Sequence, residues 1–150
     1  MLTSLDKALL NIVQTNLPLE KRPFALLAQQ LGTDEQTVLS RLRYLKDNGY
    51  IRRIGPFFDS QKLGYQGTLV AVRTDPEQTA SVADKINSYP GVTHNYEREG
   101  EFNLWFALLT PDLAAQYRIL ASIEQLPGVE RLISLPATRK FKVSVQFTLE

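Results

Sequence analysis

The residues best suited to chemistry sit in one short stretch, His94-Asn95-Tyr96-Glu97-Arg98 followed by Phe102-Asn103-Leu104-Trp105-Phe106. It contains the only His and the only Trp of the 150-residue chain. Imidazole exchanges protons near neutral pH without needing a shifted pKa. A phenol and a guanidinium beside it would add a second donor and a cation for carboxylates. Strand alternation predicts Val92, His94, Tyr96 and Arg98 on one face, with Thr93, Asn95, Glu97 and Glu99 on the other. On the next strand Trp105 shares a face with Asn103, opposite Phe102, Leu104 and Phe106. A lone strand histidine also fits a purely structural, hydrogen-bonded role. An Arg98 buried beside it would change that, because a buried guanidinium demands a carboxylate from the protein or from a ligand.

Two further cationic groups stand out. Arg139, Lys140 and Lys142 crowd the start of the alternating segment Phe141-x-Val143-x-Val145-x-Phe147, and Arg52-Arg53 forms a basic pair earlier in the chain. Each alone fits a solvated edge that discourages strand aggregation. Together they suit a ligand that carries several carboxylates. The sequence holds no Gly-rich phosphate loop, no Ser with a neighbouring His and Asp, and no metal-ligand spacing of His, Asp and Glu. With no Cys, disulfides, thiolate metal sites and cysteine nucleophiles are excluded. Catalysis would have to rest on His94, Tyr96 and cations, acting on a substrate that provides its own electron sink.

These residues must be carried by a scaffold, and the apolar periodicity divides it in two. Leu5, Leu9, Ile12 and Val13 mark a first helix with Ser4 as its cap. A second runs from Pro23 to Leu31 and stops at Gly32. A third, capped by Thr33, carries Val38, Leu39, Leu42 and Leu45 and closes at Asn48-Gly49. This is a helix-turn-helix, and Ile51 to Pro56 with Leu63-Gly64-Tyr65 would add a wing. Next come a strand at Leu69–Val72, a helix from Thr79 to Tyr89, a hairpin of Val92–Arg98 and Phe102–Leu109, a helix from Leu113 to Leu126, and strands at Val129–Leu135 and Phe141–Phe147. Tyr89-Pro90-Gly91-Val92 recurs as Leu126-Pro127-Gly128-Val129, each time between a helix and a strand. The order β-α-β-β-α-β is ferredoxin-like. The fold class is therefore α+β, with a winged helix-turn-helix at 1–60 and a ferredoxin-like domain at 61–150. One sheet face is left for another copy or a partner chain to cover.

Composition sets limits on the partners. The chain is 43% apolar and 22% charged with a formal charge of +1, as expected for a globular protein without a strong basic footprint. Residues 1–66 hold nine Lys or Arg against six Asp or Glu, net +3, and the remainder is net −2. The third helix begins Asp34-Glu35-Gln36, which would repel DNA phosphates despite Arg41, Arg43 and Lys46 further along. DNA binding is not expected. No run of about 18 apolar residues and no secretory signal pattern is present, so a cytoplasmic protein without a membrane span is expected.

Arg52-Arg53-Ile54-Gly55, Leu63-Gly64-Tyr65, the His94 to Phe106 stretch and Leu135-Pro136-Ala137-x-Arg139-x-Phe141-Lys142 resemble the siroheme decarboxylases. That family is itself similar to the Lrp/AsnC regulators, whose second ferredoxin-like strand lacks a His-Asn-Tyr-x-x-Arg pattern. The resemblance implies loss of the C12 and C18 acetate carboxyl groups of siroheme, giving 12,18-didecarboxysiroheme in alternative heme or heme d1 synthesis. It also implies a homologous second subunit in a heterodimer, this chain being similar to the alpha subunit. His94 would then be the proton donor, assisted by Tyr96, or the axial ligand of the substrate iron. Arg52, Arg53, Arg98, Asn103, Trp105, Arg139 and Lys142 would bind the macrocycle and its rim. No added cofactor or protein-bound metal is implied, and heme would be a regulatory ligand. The competing expectations are a regulator that binds DNA and a small effector, and a non-catalytic tetrapyrrole-binding subunit whose partner performs the reaction.

Overall fold

The computed structural model of the chain describes residues 1–15, 17–55, 58–142 and 146–149. They form two compact units, Met1–Pro56 with Lys142–Glu150, and Phe57–Phe141.

The first unit contains α1 (Ser4–Val13), α2 (Pro23–Gln30) and α3 (Glu35–Asp47). Leu9, Leu27, Val38, Leu42 and Leu45 meet in its core, as the helical spacing requires. The caps differ from expectation by one residue. Thr3, not Ser4, caps α1, because its hydroxyl receives the Asp6 N–H while the Asp6 carboxylate reaches back to the Thr3 N–H, a reciprocal pair that Ser4 has no acid to complete. Asp34, not Thr33, caps α3 by accepting from the Thr37 N–H at 2.8 Å. The wing is not formed: residues 51–55 and 63–65 belong to no strand, and Pro56 lies outside the described residues.

In the second unit β1 (Gln66–Thr74), α4 (Thr79–Asn87), β2 (Val92–Glu97), β3 (Leu104–Thr110), α5 (Leu113–Glu124) and β4 (Val129–Leu135) build an antiparallel sheet of order β2-β3-β1-β4. This is the ferredoxin-like arrangement. Val70, Val72, Leu104, Phe106 and Leu108 bury against Val82, Ile86, Leu120 and Ile123 of the two helices. The two Pro-Gly repeats perform the same task. Gly91 O accepts from the Leu109 N–H at 2.8 Å, and Gly128 O accepts from the Asp75 N–H at 2.9 Å, so each pins the strand it opens to a neighbour. The expected strand at 141–147 is not seen in its described residues: Phe141, Lys142, Gln146 and Phe147 are exposed outside any strand, and residues 143–145 lie outside the described set.

Candidate functional site

Alternation along β3 divides its side chains cleanly. Leu104, Phe106 and Leu108 enter the core, and Trp105, Ala107 and Leu109 are half-buried on the opposite face, away from α4 and α5. Register then fixes their neighbours. Tyr96, Trp105, Ala71 and Ile133 form one row across the four strands, and His94, Ala107, Leu69 and Leu135 form the next. Ala107 is small and stands between larger side chains, which leaves a hollow of about 520 Å³ lined by Leu69, His94, Tyr96, Arg98, Trp105, Phe106 and Ala107. That volume lies within the usual range for a small-molecule site.

β2 differs from simple alternation. Val92 pairs with Leu108 but His94 pairs with Ala107, so two residues of β2 span one of β3. This is a β-bulge. It puts Val92 against the core and His94 on the open face, and the expected common face of Val92 and His94 is thereby corrected. The close approach at Gly91 accompanies it, since a Cβ there would lie 2.1 Å from Leu109 O. Beyond the bulge His94 and Tyr96 stack with ring centroids 6.3 Å apart, and the Arg98 guanidinium lies 5.9 Å from the Tyr96 ring centre. His94 Nδ1 is 3.1 Å from Thr93 Oγ1.

Arg98 is exposed rather than buried, and among the described residues no carboxylate pairs with it. Lying just past the end of the edge strand β2, it keeps its hydration and needs no internal counterion. Trp105 donates its indole N–H to Phe102 O at 2.7 Å, which holds the ring in place where it lines the hollow.

Asn103, expected to bind the macrocycle, is hydrogen-bonded within the protein. Its Oδ1 accepts from the Thr74 N–H at 2.8 Å and its Nδ2 donates to Thr74 O at 3.1 Å, tying the end of β1 to the loop before β3. Both ends of the amide are engaged, so it has a structural role. Arg139 is exposed over the Phe141 ring at 4.9 Å, and Arg52, Arg53 and Lys142 are exposed residues of the first unit. None of the four lines the hollow. Sequence reasoning overlooked Leu69, Ala107 and Thr93. A small Ala between large residues, and a Gly at a strand start that signals a bulge, were the available clues.

Two arginines of the helix-turn-helix are paired internally. Arg41 donates to the fully buried Asp6 through Nε and one terminal nitrogen, each at 2.7 Å, and its guanidinium lies over Tyr44. These bonds, above all the one from Arg41, hold the Asp6 pKa well below the usual carboxylate range. Arg22 pairs with Glu35, while hydrogen bonds from Thr37 lower the pKa of the Asp34 cap.

Residues 6–52 match the family model described as the siroheme decarboxylase NirDL-like HTH domain, and residues 62–142 match the AsnC-like ligand binding domain. The chain is 45% identical to the siroheme decarboxylase alpha subunit of Desulfovibrio desulfuricans, over 98% of this chain and 84% of that one. It is 37% identical to the alpha subunit of Nitratidesulfovibrio vulgaris, over 100% and 85% of the two chains. Among solved structures, the siroheme decarboxylase NirDL superposes with a TM-score of 0.71 at 36% identity, covering 98% of this chain and 48% of that chain. This chain thus spans about half of that longer one. The AsnC of E. coli is alike in fold, with a TM-score of 0.83 at 20% identity over 97% of each chain.

Proposed function

The chain belongs to the siroheme decarboxylase family, and from this we propose that it is the alpha-type subunit of such an enzyme. In this reading it removes the C12 and C18 acetate carboxyl groups of siroheme, giving 12,18-didecarboxysiroheme and carbon dioxide in heme or heme d1 synthesis. The reading rests on the hollow over Ala107, where the only His, the only Trp, a Tyr and an Arg line one concavity on the open sheet face. Siroheme is a flat macrocycle with carboxylates around its rim. The Trp105 face and Leu69 supply an apolar wall, and Arg98 supplies a cation for a carboxylate that stays. Arg52, Arg53, Arg139 and Lys142 remain candidates for the other rim carboxylates. A solved NirDL in co-complex with an iron-uroporphyrin III analogue, 34% identical to this chain, supports a tetrapyrrole as ligand.

In each round the bond between the acetate methylene and its carboxyl carbon breaks, and its electron pair passes into the conjugated macrocycle. No further cofactor is needed for that step. His94 then gives a proton from Nε2 to the methylene carbon, producing a methyl group, with Tyr96 orienting the ring or acting as second donor. Exposure of His94 lets solvent reload it between the two rounds. Arg98 does not clamp the carboxylate that leaves, because tight binding of that group would stabilise the ground state. Axial ligation of the substrate iron by His94 is the competing role.

A homologous second subunit is the expected partner, its place being the sheet face away from α4 and α5. Relatives are named as subunits, and the NirDL subunit of Paracoccus denitrificans is matched over only 44% of its length. A DNA-binding regulator is less well supported, since Arg41 is held by Asp6 and the start of α3 is acidic. No helix among the described residues is long and apolar enough to cross a membrane; we place the enzyme in the cytoplasm. Heme binding as feedback is part of the same proposal. Anaerobic incubation with siroheme, alone and with the second subunit, followed by mass analysis, tests it: loss of two carbon dioxides is expected. Unchanged siroheme in the presence of the partner overturns it.

A further inference from the structure

We propose that Thr93 is the positioning residue for His94: its hydroxyl oxygen accepts from Nδ1–H and thereby makes Nε2 the working nitrogen of the ring. The bulge is what makes this contact. In regular alternation Thr93 and His94 would point to opposite faces, whereas the extra residue between Val92 and His94 leaves both exposed, with Oγ1 3.1 Å from Nδ1. Bulges of this kind re-aim a side chain.

Among the described residues Thr93 Oγ1 has no other hydrogen-bond partner, and His94 Nδ1 has none besides Thr93. Thr93 lines a second hollow, of about 330 Å³, with Tyr65, Pro90, Gly91 and Leu109, and is not among the residues that line the first. When the imidazolium gives up its proton, the Nε2–H bond breaks, the C–H bond forms from the carbanion pair, and a neutral ring protonated at Nδ1 remains. A hydrogen bond to Thr93 stabilises that tautomer. The same tautomer is the one a metal ligand needs, with Nε2 free and Nδ1–H held by a partner. The assignment therefore serves either role of His94. It rests on the proposed function only for its effect on rate, not for the tautomer itself.

Because the chain has one His, a single imidazole reports on the contact. The test uses the 15N-labelled full chain, without substrate, in two-bond proton–nitrogen correlation spectra at alkaline pH. Neutral ring mainly protonated at Nδ1 is expected in the natural chain. Thr93→Val should revert to the Nε2–H form favoured by free imidazole, and Thr93→Ser should restore the Nδ1–H form. A natural chain mainly in the Nε2–H form, or a Thr93→Val ring unchanged from it, overturns the assignment. With the partner subunit and siroheme present, Thr93→Val should lower kcat about tenfold with KM little changed, and Thr93→Ser should recover it. A defect confined to KM also overturns it. If the natural chain processes no siroheme while the tautomer pattern holds, the functional reading fails and the Thr93 assignment stands.

Discussion

Two clusters, one in each unit, use their charges in opposite ways. In the helix-turn-helix, Arg41 is locked onto Asp6, Arg22 onto Glu35, and Asp34 onto the start of α3. On the open face of the sheet, His94, Tyr96 and Arg98 gather round a hollow with their working atoms uncommitted to any carboxylate among the described residues. A satisfied charge stabilises its own fold, whereas an unsatisfied one beside a concavity is available to a ligand. The same contrast explains Asn103 and Trp105, neighbours in sequence. The amide is engaged by Thr74 and Thr79, whereas the indole spends only its N–H and lines the hollow.

The contrast can be broken most directly at His94. In His94→Ala, decarboxylation should fall by roughly 10²–10⁴-fold while siroheme binding stays visible in the absorbance spectrum; turnover near that of the natural chain would move the chemistry elsewhere. A Soret shift without loss of rate would favour iron ligation.

Next in size is Asp6→Asn, which leaves the Arg41 guanidinium without its carboxylate and should destabilise the first unit by about 2 kcal/mol in urea unfolding. Decarboxylation measured below the transition should be unaltered. Acid provides a second reading of the same pair. Since folding lowers the Asp6 pKa, the unfolded chain takes up the proton first. The stabilisation is then complete above the ordinary Asp value of 3.8 and is lost as pH falls through the folded value. An acid titration by circular dichroism should show this extra loss in the natural chain and its absence in Asp6→Asn.

The smallest effect is expected at Arg43 and Lys46, the exposed cations of α3. Replacing both by Ala should leave decarboxylation within about twofold, as for surface changes away from a site. If the natural chain bound its own upstream DNA in a salt-sensitive manner that this pair abolished, the helix-turn-helix would regain a role of its own.

Local pattern carried much of this into view. Helical spacing located α1 to α3, the alternation of β3 separated Leu104 and Phe106 from Trp105, and the order of elements gave the ferredoxin-like topology. The two Pro-Gly repeats are legible as equivalent turns, and their carbonyls accept corresponding hydrogen bonds. Reading failed wherever a partner is distant in sequence or a strand loses its period. Nothing near Arg41 indicates Asp6, 35 residues away, and nothing near Asn103 indicates Thr74. The wing failed because turn residues and a few apolar ones do not make a hairpin without a cross-strand ladder.

The sequence by itself determined which residues could do chemistry and which strands carry them, because residue type and period are local properties. Only the tertiary structure decided that Val92 turns inward while His94 turns outward, that Ala107 leaves a hollow between the rows, and that Thr93 meets His94. Those outcomes depend on register between strands, which one extra residue in the ladder resets for every side chain beyond it.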